Sequence, residues 1–332
     1  MTNFLGLKSV QVYKRIRSNS PKFRFVCKKL AVTAIAVAVA GATLLAGTMP
    51  SAANSKYAGI VIDAKTGKTL YSSSADSLRY PASLTKMMTL YMVFEALESK
   101  RISLKTEMPV SRNAAAEPPT KLGLKPGQKL SVETAIYALV TKSANDAATA
   151  TGEFLGGSEA RFAQMMTAKA RQLGMSRTTF KNANGLPNGD QKTTARDMAR
   201  LGIARREHFP QYYKYFSTRS FTYGRTRMSN HNRLLGKVRG VDGIKTGYTR
   251  ASGFNLVSSV VDKDRSIVAV VLGGNTGASR NAQMQKLIAS YLPKASTRGN
   301  GIDIPETGSA VIVADLELPK VGPVPNLRRD GD

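Results

Sequence analysis

The pattern of apolar and polar positions divides the chain into strands at both ends and helices between them. Tyr57 to Asp63 alternates apolar and small residues as a strand, Asp63-Ala64-Lys65-Thr66-Gly67-Lys68 reads as a turn, and Thr69 to Ser73 returns as a second strand. Leu84, Met87, Met88, Tyr91, Phe94 and Leu97 then recur at helical spacing, which predicts a helix from about Ser83 to Ser99. Pro81 stands just ahead of it, and Ser83 sits at its start, where a hydroxyl can cap the first turn. Helical signal resumes over Val132–Thr141, Ala144–Leu155, Ser158–Leu173 and Thr194–Arg206, with Asn184-Gly185-Leu186-Pro187-Asn188-Gly189 as a loop between the last two. Strands return at Gly243–Thr246, Phe254–Asp262 and Ser266–Leu272, and a helix over Ala282–Leu292 closes the pattern.

This arrangement implies one sheet built from the two ends of the chain, with a helical lobe inserted. Short hairpin turns favour antiparallel pairing. From Pro293 onward the prolines at 293, 305, 319, 323 and 325 and weak periodicity read as a flexible tail, with one short strand expected at Ala310–Ala314.

The first fifty residues obey different rules. Residues 1–29 carry eight basic residues and no acidic one, and an uncharged apolar run extends from Leu30 to Gly47. Ser51-Ala52-Ala53 then offers a small-x-small cleavage site, so residues 1–53 read as a secretory signal peptide. The competing reading is an uncleaved N-terminal anchor, since the run is close to the roughly 17–25 residues that span a bilayer. Both readings keep the basic flank cytoplasmic and place the residues after Ala53 outside, in the periplasm or cell-wall space.

Cysteine and charge narrow the partners. Cys27, the single cysteine, precedes the apolar run, so the exported part has no disulfide, thiol nucleophile or cysteine-bound metal. Net charge is +27, and subtracting the eight leader charges leaves +19. An exported chain meets little nucleic acid, whereas anionic wall polymer and anionic lipid are abundant there. The charge reads as solubility and loose attraction to the wall, with no nucleic-acid partner and membrane contact only through the N-terminal segment.

Elimination points to lysine as a base. The two histidines, His208 and His231, have no G-x-S-x-G or H-E-x-x-H companion, and no phosphate-binding glycine pattern occurs. His208, in Arg-Arg-Glu-His-Phe-Pro at a helix exit, reads as a surface residue. No metal site and no cofactor are expected. Ser83-Leu84-Thr85-Lys86 instead places a hydroxyl and an amine within one helical turn. No other serine in the chain has lysine three residues on. A partly desolvated lysine beside a helix start has its pKa lowered and can take the serine proton. A capping serine followed by a surface lysine is the bland reading of the same four residues. Ser143-Ala144-Asn145 lies at a junction between helices, although Ser-x-Asn recurs at Ser111 and Ser279. Lys245-Thr246-Gly247 lies on a candidate strand, where glycine admits a substrate backbone. Its copy at Lys65-Thr66-Gly67 is a turn.

Taken in order, Ser83-x-x-Lys86, Ser143-x-Asn145 and Lys245-Thr246-Gly247 resemble the penicillin-recognising serine enzymes. The neighbouring residues resemble the low-molecular-mass D-Ala-D-Ala carboxypeptidases in particular, at Arg79–Thr89, Leu124–Gly127, Thr141–Ala148, Asn184–Pro187, Thr194–Ala199, Val241–Thr249 and Ser252–Leu256. The resemblance covers roughly residues 57–292. It implies a β-lactamase/transpeptidase-like α/β (α+β) fold over a catalytic domain of residues 54–292, an antiparallel sheet flanked by helices beside a helical lobe. The site is then expected in the cleft between sheet and lobe.

The resemblance also implies roles: Ser83 as nucleophile on the carbonyl between two terminal D-alanines, Lys86 as its base, and Ser143 with Lys245 relaying a proton to the departing D-alanine. By the same resemblance Asn145 holds the peptide, Thr246 binds the terminal carboxylate, Gly247 lies on the substrate-binding strand, and the N–H groups of Ser83 and Tyr248 form the oxyanion hole. Arg233 offers a further charge or is a solvated loop residue. Substrates would be peptidoglycan stem peptides, and β-lactams would be inhibitors. Larger relatives carry a β-rich second domain and an amphipathic anchor, neither of which is visible after Leu292. Rival readings are a D,D-endopeptidase, a β-lactamase, whose class A Glu-x-x-Leu-Asn loop has no match here, and a non-catalytic wall-binding module.

Overall fold

A computed structural model describes residues 54–302 and 304–305. The apolar run at Leu30–Gly47, the cleavage site and the strand expected at Ala310–Ala314 lie outside the described residues. The chain begins with strands β1 (Ala58–Asp63) and β2 (Thr69–Ser73), a single 3-10 turn (Ala82–Thr85) and helix α1 (Lys86–Glu98). The lobe comes next as β3 (Glu107–Pro109), α2 (Arg112–Ala116), β4 (Lys129–Ser131), α3 (Val132–Thr141), α4 (Asn145–Gly156) and α5 (Glu159–Gln172). Helix α6 (Ala195–His208) leads through a 3-10 segment (Pro210–Ser217) to the hairpin β5 (Ser220–Tyr223) and β6 (Thr226–Ser229). Strands β7 (Val241–Thr249), β8 (Gly253–Asp262) and β9 (Arg265–Gly274) and helix α7 (Gly277–Tyr291) complete the order.

Five strands form one antiparallel sheet in the order β2-β1-β9-β8-β7. The first strand therefore pairs with the last, from Ala58↔Leu272 to Asp63↔Ile267. Both faces are covered, which explains why β9 is buried almost end to end instead of alternating with polar residues. Val268, Val270 and Leu272 face the core shared with α1, α3, α5 and α6, whereas Ile267, Ala269 and Val271 pack with Met284, Leu287 and Ile288 of α7. The expected antiparallel sheet with flanking helices and an inserted lobe is the observed architecture.

Local chemistry sets the helix starts. The hydroxyls of Ser131, Ser158 and Thr194 accept hydrogen bonds from N–H groups three residues on, as N-caps do. The predicted helices over 132–141, 144–155, 158–173 and 194–206 are therefore found within two residues of their expected ends. Helix α7 starts earlier than expected, behind a capping box of Thr276 and Ser279. The hairpin β5–β6 has no counterpart in the sequence reading.

Two expectations need correction. The folded body does not stop at Leu292: Ala295 and Ile304 are buried, Ser296 N–H donates to the Asp63 carboxylate at 2.7 Å, and Lys65 Nζ donates to the Thr297 carbonyl at 3.0 Å. A buried carboxylate needs donors, and Asp63 takes one from its own turn, Lys65 N–H at 2.9 Å, and one from this returning segment. His208 is half-buried and is not a free surface residue. Its Nε2 lies 3.0 Å from the Ile304 carbonyl oxygen, which can only accept, so the Nε2 nitrogen carries the proton. The Nδ1 nitrogen lies 2.7 Å from the Tyr91 hydroxyl oxygen, so both ring nitrogens have partners.

Candidate active site

The segment Tyr80–Lys86 makes a tight corner before α1. Ala82 has φ +50, a left-handed conformation that costs a residue with a β-carbon roughly 1–2 kcal/mol. The surroundings hold it there. Asn255 Nδ2 donates to the Tyr80 carbonyl at 3.0 Å and the Pro81 carbonyl at 3.1 Å, and Leu84 N–H donates to Pro81 O at 3.2 Å. Arg79 and Thr193 exchange two backbone hydrogen bonds of 2.8 Å upstream. Asn255 is itself fixed, because Gly273 N–H donates to its Oδ1 at 2.9 Å.

Ser83 sits inside the 3-10 turn and lines a cleft of about 470 Å³ between sheet and lobe. Neither cap position of the turn or of α1 uses a side-chain oxygen, so the capping reading of Ser83 fails. Lys86, the first residue of α1, is fully buried. Its Nζ donates to Asn145 Oδ1 at 2.7 Å and to the Asn184 carbonyl at 2.5 Å. Burial and then the charge of Lys245 hold the amine well below the usual lysine range. A neutral amine has two N–H donors and one lone pair. Both donors are committed, so the lone pair is the group left to accept a proton.

Ser143 lies between α3 and α4 at φ +58, left-handed like Ala82. Its carbonyl accepts from Thr120 Oγ1 at 2.9 Å, while its own hydroxyl is buried and has no hydrogen-bond partner among the described residues. Asn145 opens α4 and gives one Nδ2 hydrogen to the Pro118 carbonyl at 2.9 Å, leaving the other for a ligand. The Asp146 carboxylate accepts from the N–H groups of Leu122, Gly123 and Leu124 at 2.8–3.0 Å. It thereby folds the loop that brings Pro119 and Thr120 to the cleft.

From the sheet side, β7 supplies Lys245, Thr246, Gly247 and Tyr248. Lys245 is 2% exposed, donates to the Thr246 carbonyl at 2.9 Å, and has its pKa brought down to about 7 by burial and then by Arg280. Thr246 and Gly247 line the cleft. Gly247 serves a closer neighbour than substrate: a β-carbon there would lie 3.1 Å from Pro81 O and 3.1 Å from Ser83 N. Its bareness lets β7 lie against the turn that carries Ser83, a correction to the expectation of substrate approach alone. Tyr248 is 56% exposed at the rim, its ring 4.2 Å from that of Phe254. The copy at Lys65-Thr66-Gly67 is a surface turn after β1, with Gly67 at φ +75.

Two cleft residues escaped the sequence reading, and a third gains a position. Arg280, on the first turn of α7, is 6% exposed, lines the cleft, and donates from Nη1 to the Asn255 carbonyl at 3.0 Å. In a chain with 49 Lys and Arg nothing marked it. His231 also lines the cleft, its pKa lowered to about 4 by burial and by Lys245, Lys142, Arg233 and Lys86, so it is neutral at pH 7. Arg233 stands exposed on the same lining. Among the described residues no group of three His, Cys, Asp or Glu side chains could hold a metal ion, and no helix is long and apolar enough to cross a membrane.

A serine on a strained turn, a buried lysine of lowered pKa one turn on, and a basic strand across the cleft form the arrangement that nucleophilic acyl transfer by serine requires. The chain belongs to the D-alanyl-D-alanine carboxypeptidase family, whose family model matches residues 46–276. Among curated relatives, it is 38% identical over 236 residues to D-alanyl-D-alanine carboxypeptidase DacC of Escherichia coli (strain K12), covering 69% of this chain and 59% of that protein. It is 34% identical over 240 residues to DacF of Bacillus subtilis (strain 168), covering 69% and 60%. The chain thus spans about three-fifths of the length of these relatives. Among solved structures, penicillin binding protein 5 of Haemophilus influenzae superposes with TM-score 0.69 at 31% identity, covering 74% of this chain and 72% of that one. Penicillin-Binding Protein D2 of Listeria monocytogenes in its ampicillin-bound form superposes with TM-score 0.65 at 30% identity, covering 70% and 95%.

Proposed function

We propose that this protein is an exported serine D-Ala-D-Ala carboxypeptidase that removes the terminal D-alanine from peptidoglycan stem peptides and is acylated by penicillins. The observation that carries the proposal is the Lys86 amine, fully buried one turn from a serine in the cleft, held by Asn145 Oδ1 and the Asn184 carbonyl, with its pKa lowered by burial and by Lys245. The Ser83 proton passes to the Lys86 lone pair as Oγ bonds to the carbonyl between the two D-alanines. Negative charge develops on the carbonyl oxygen, and the N–H groups of Ser83 and Tyr248 stabilise it. The C–N bond then breaks, and the departing amine takes the hydroxyl proton of Ser143, which Lys245 replaces. Asn145 holds the peptide, and Thr246 with the cations Arg280 and Arg233 receives the terminal carboxylate. Water releases the acyl group from Ser83.

Family membership supports this chemistry, and the ampicillin-bound relative supports β-lactams as inhibitors. The basic, apolar and small-residue order of residues 1–53 supports a leader and export to the periplasm or wall space. The test mixes purified residues 54–332 with a fluorescent penicillin and with a D-Ala-D-Ala peptide. Ser83→Ala is expected to abolish both labelling and D-alanine release. Labelling that persists in Ser83→Ala overturns the nucleophile, and labelling without D-alanine release points to a D,D-endopeptidase or a binding protein instead.

A further inference from the structure

The Lys86 amine rests on the carbonyl of Asn184, and a polar network holds Asn184 from behind. The Asn184 Nδ2 donates to Glu117 Oε1 at 2.9 Å and to Thr149 Oγ1 at 2.9 Å, with Glu159 Oε1 at 3.4 Å. Thr149 in turn donates to Glu117 Oε1 at 2.7 Å, with Glu159 Oε1 at 3.3 Å. The Glu159 Oε1 also accepts from Ala183 N–H at 3.0 Å, and the Ala183 carbonyl accepts from Thr89 Oγ1 of α1 at 2.6 Å. Two half-buried carboxyl groups from different segments, the end of α2 and the start of α5, thus converge on one asparagine. The backbone oxygen of that asparagine touches the base.

We propose that Glu117 and Glu159 are positioning residues for Lys86, holding the Asn184 carbonyl against its amine and setting by their charge how readily it keeps a proton. The proposal rests on Lys86 being the base. The groups facing Lys86 are the carboxylates of Glu117, Asp146 and Glu159, which favour its charged form, and Lys245, which opposes it. Asp146 is already committed to backbone N–H groups of the lobe loop and of Ala147. Burial raises the Glu159 carboxyl above the usual range against the hydrogen bond from Ala183, and Glu117 and Glu153 add repulsion. Glu159 therefore takes up a proton at a higher pH than a solvated glutamate, and its charge on the network falls with it. Such linked groups titrate together.

The test measures acylation of Ser83 by a fluorescent penicillin across pH in the full chain, in Glu117→Gln, in Glu159→Gln and in the double variant. Glutamine keeps a carbonyl oxygen for Thr149 and Asn184 but removes the charge. The acidic limb of the rate profile is expected to move to lower pH, by roughly one unit in the double variant and by less in each single one. A limb that stays in place overturns the proposal, and the single variants are read in the same way if the double variant does not fold. Thr149→Val cuts the network without changing charge, and it is expected to lower the plateau rate roughly tenfold or more with the limb unmoved. An unchanged plateau there overturns the positioning role. Lys86→Ala separates the two levels. Acylation at the parental rate would remove Lys86 as base, whereas a dead Lys86→Ala beside unmoved Gln variants sinks only the role of the carboxyl pair.

Discussion

A β-carbon on Gly185 would lie 2.0 Å from the carbonyl oxygen of Ala82 and 2.9 Å from the amide nitrogen of Ser83. The Asn184–Gly189 loop therefore presses its backbone directly on the corner that carries the nucleophile. Gly185 also has φ +88, which a side chain resists. Gly185→Ala is expected to lose roughly 2–4 kcal/mol of stability, through steric overlap and strain together. Acylation by penicillin should fall at least about 100-fold, because the corner must shift. Thermal melting and stopped-flow labelling measure the two effects separately.

On the proposed mechanism the rate of acylation should depend on pH from both sides. Lys86 acts there as a neutral base, so the rate falls as pH drops through its lowered pKa. Lys245 must be charged to return a proton and to attract a carboxylate, so in the free enzyme the rate falls as pH rises through about 7. A second-order acylation profile reads both limbs. Lys245→Arg keeps its charge at all these pH values but cannot hand on a proton, so it is expected to lower the rate and to remove the alkaline limb. A limb that survives this change belongs to another group.

Burying Lys245 also costs stability. Its pKa is about 7 folded and 10.5 in its ordinary state, so between those values the unfolded chain binds more protons and stability rises with pH. Below pH 7 the folded protein carries a buried cation whose amine donates to Thr246 O. Lys245→Met should therefore melt higher than the parent, by roughly 1–3 kcal/mol below pH 7. The gain should shrink steadily toward pH 10.5. Chemical denaturation at pH 6, 8 and 10 checks the slope.

The segment after Leu292 gives a fourth expectation. Truncation after Lys294 would expose Asp63, free His208 Nε2 and remove Ile304 from the core. A loss of roughly 2–4 kcal/mol is expected, with the acylation rate at low temperature unchanged. Urea unfolding measures the first and fluorescent penicillin the second.

Much of this was legible because it depends on local spacing. Helical signal located the stretches from Ser158 and Thr194, apolar runs located β8 and β9, and the family resemblance supplied the helices that flank the sheet. The one-turn 3-10 corner was not legible, since Ala82 and Ser143 are residue types with no bias toward positive φ and only tertiary contacts hold them there. The hairpin β5–β6 was missed because its strands are only four residues each: Ser220-Phe221-Thr222-Tyr223 alternates too briefly to stand out, and Thr226–Ser229 buries only Met228. Of the site, Ser83, Lys86, Ser143, Asn145 and Lys245–Tyr248 could be picked out by spacing and by the family resemblance. Arg280 and His231 could not, because their significance is positional: a basic side chain becomes part of a cleft only when the fold buries it there.

Asn255 gives the sheet a second use. One side-chain amide takes hold of β9 through Gly273 and of the nucleophile corner through Tyr80 and Pro81. A transient parting of β8 from β9 would release the corner at the same moment, and Ala82 would relax out of its left-handed conformation. On the proposed function, acylation by penicillin would then report local opening of the sheet as well as the state of the cleft.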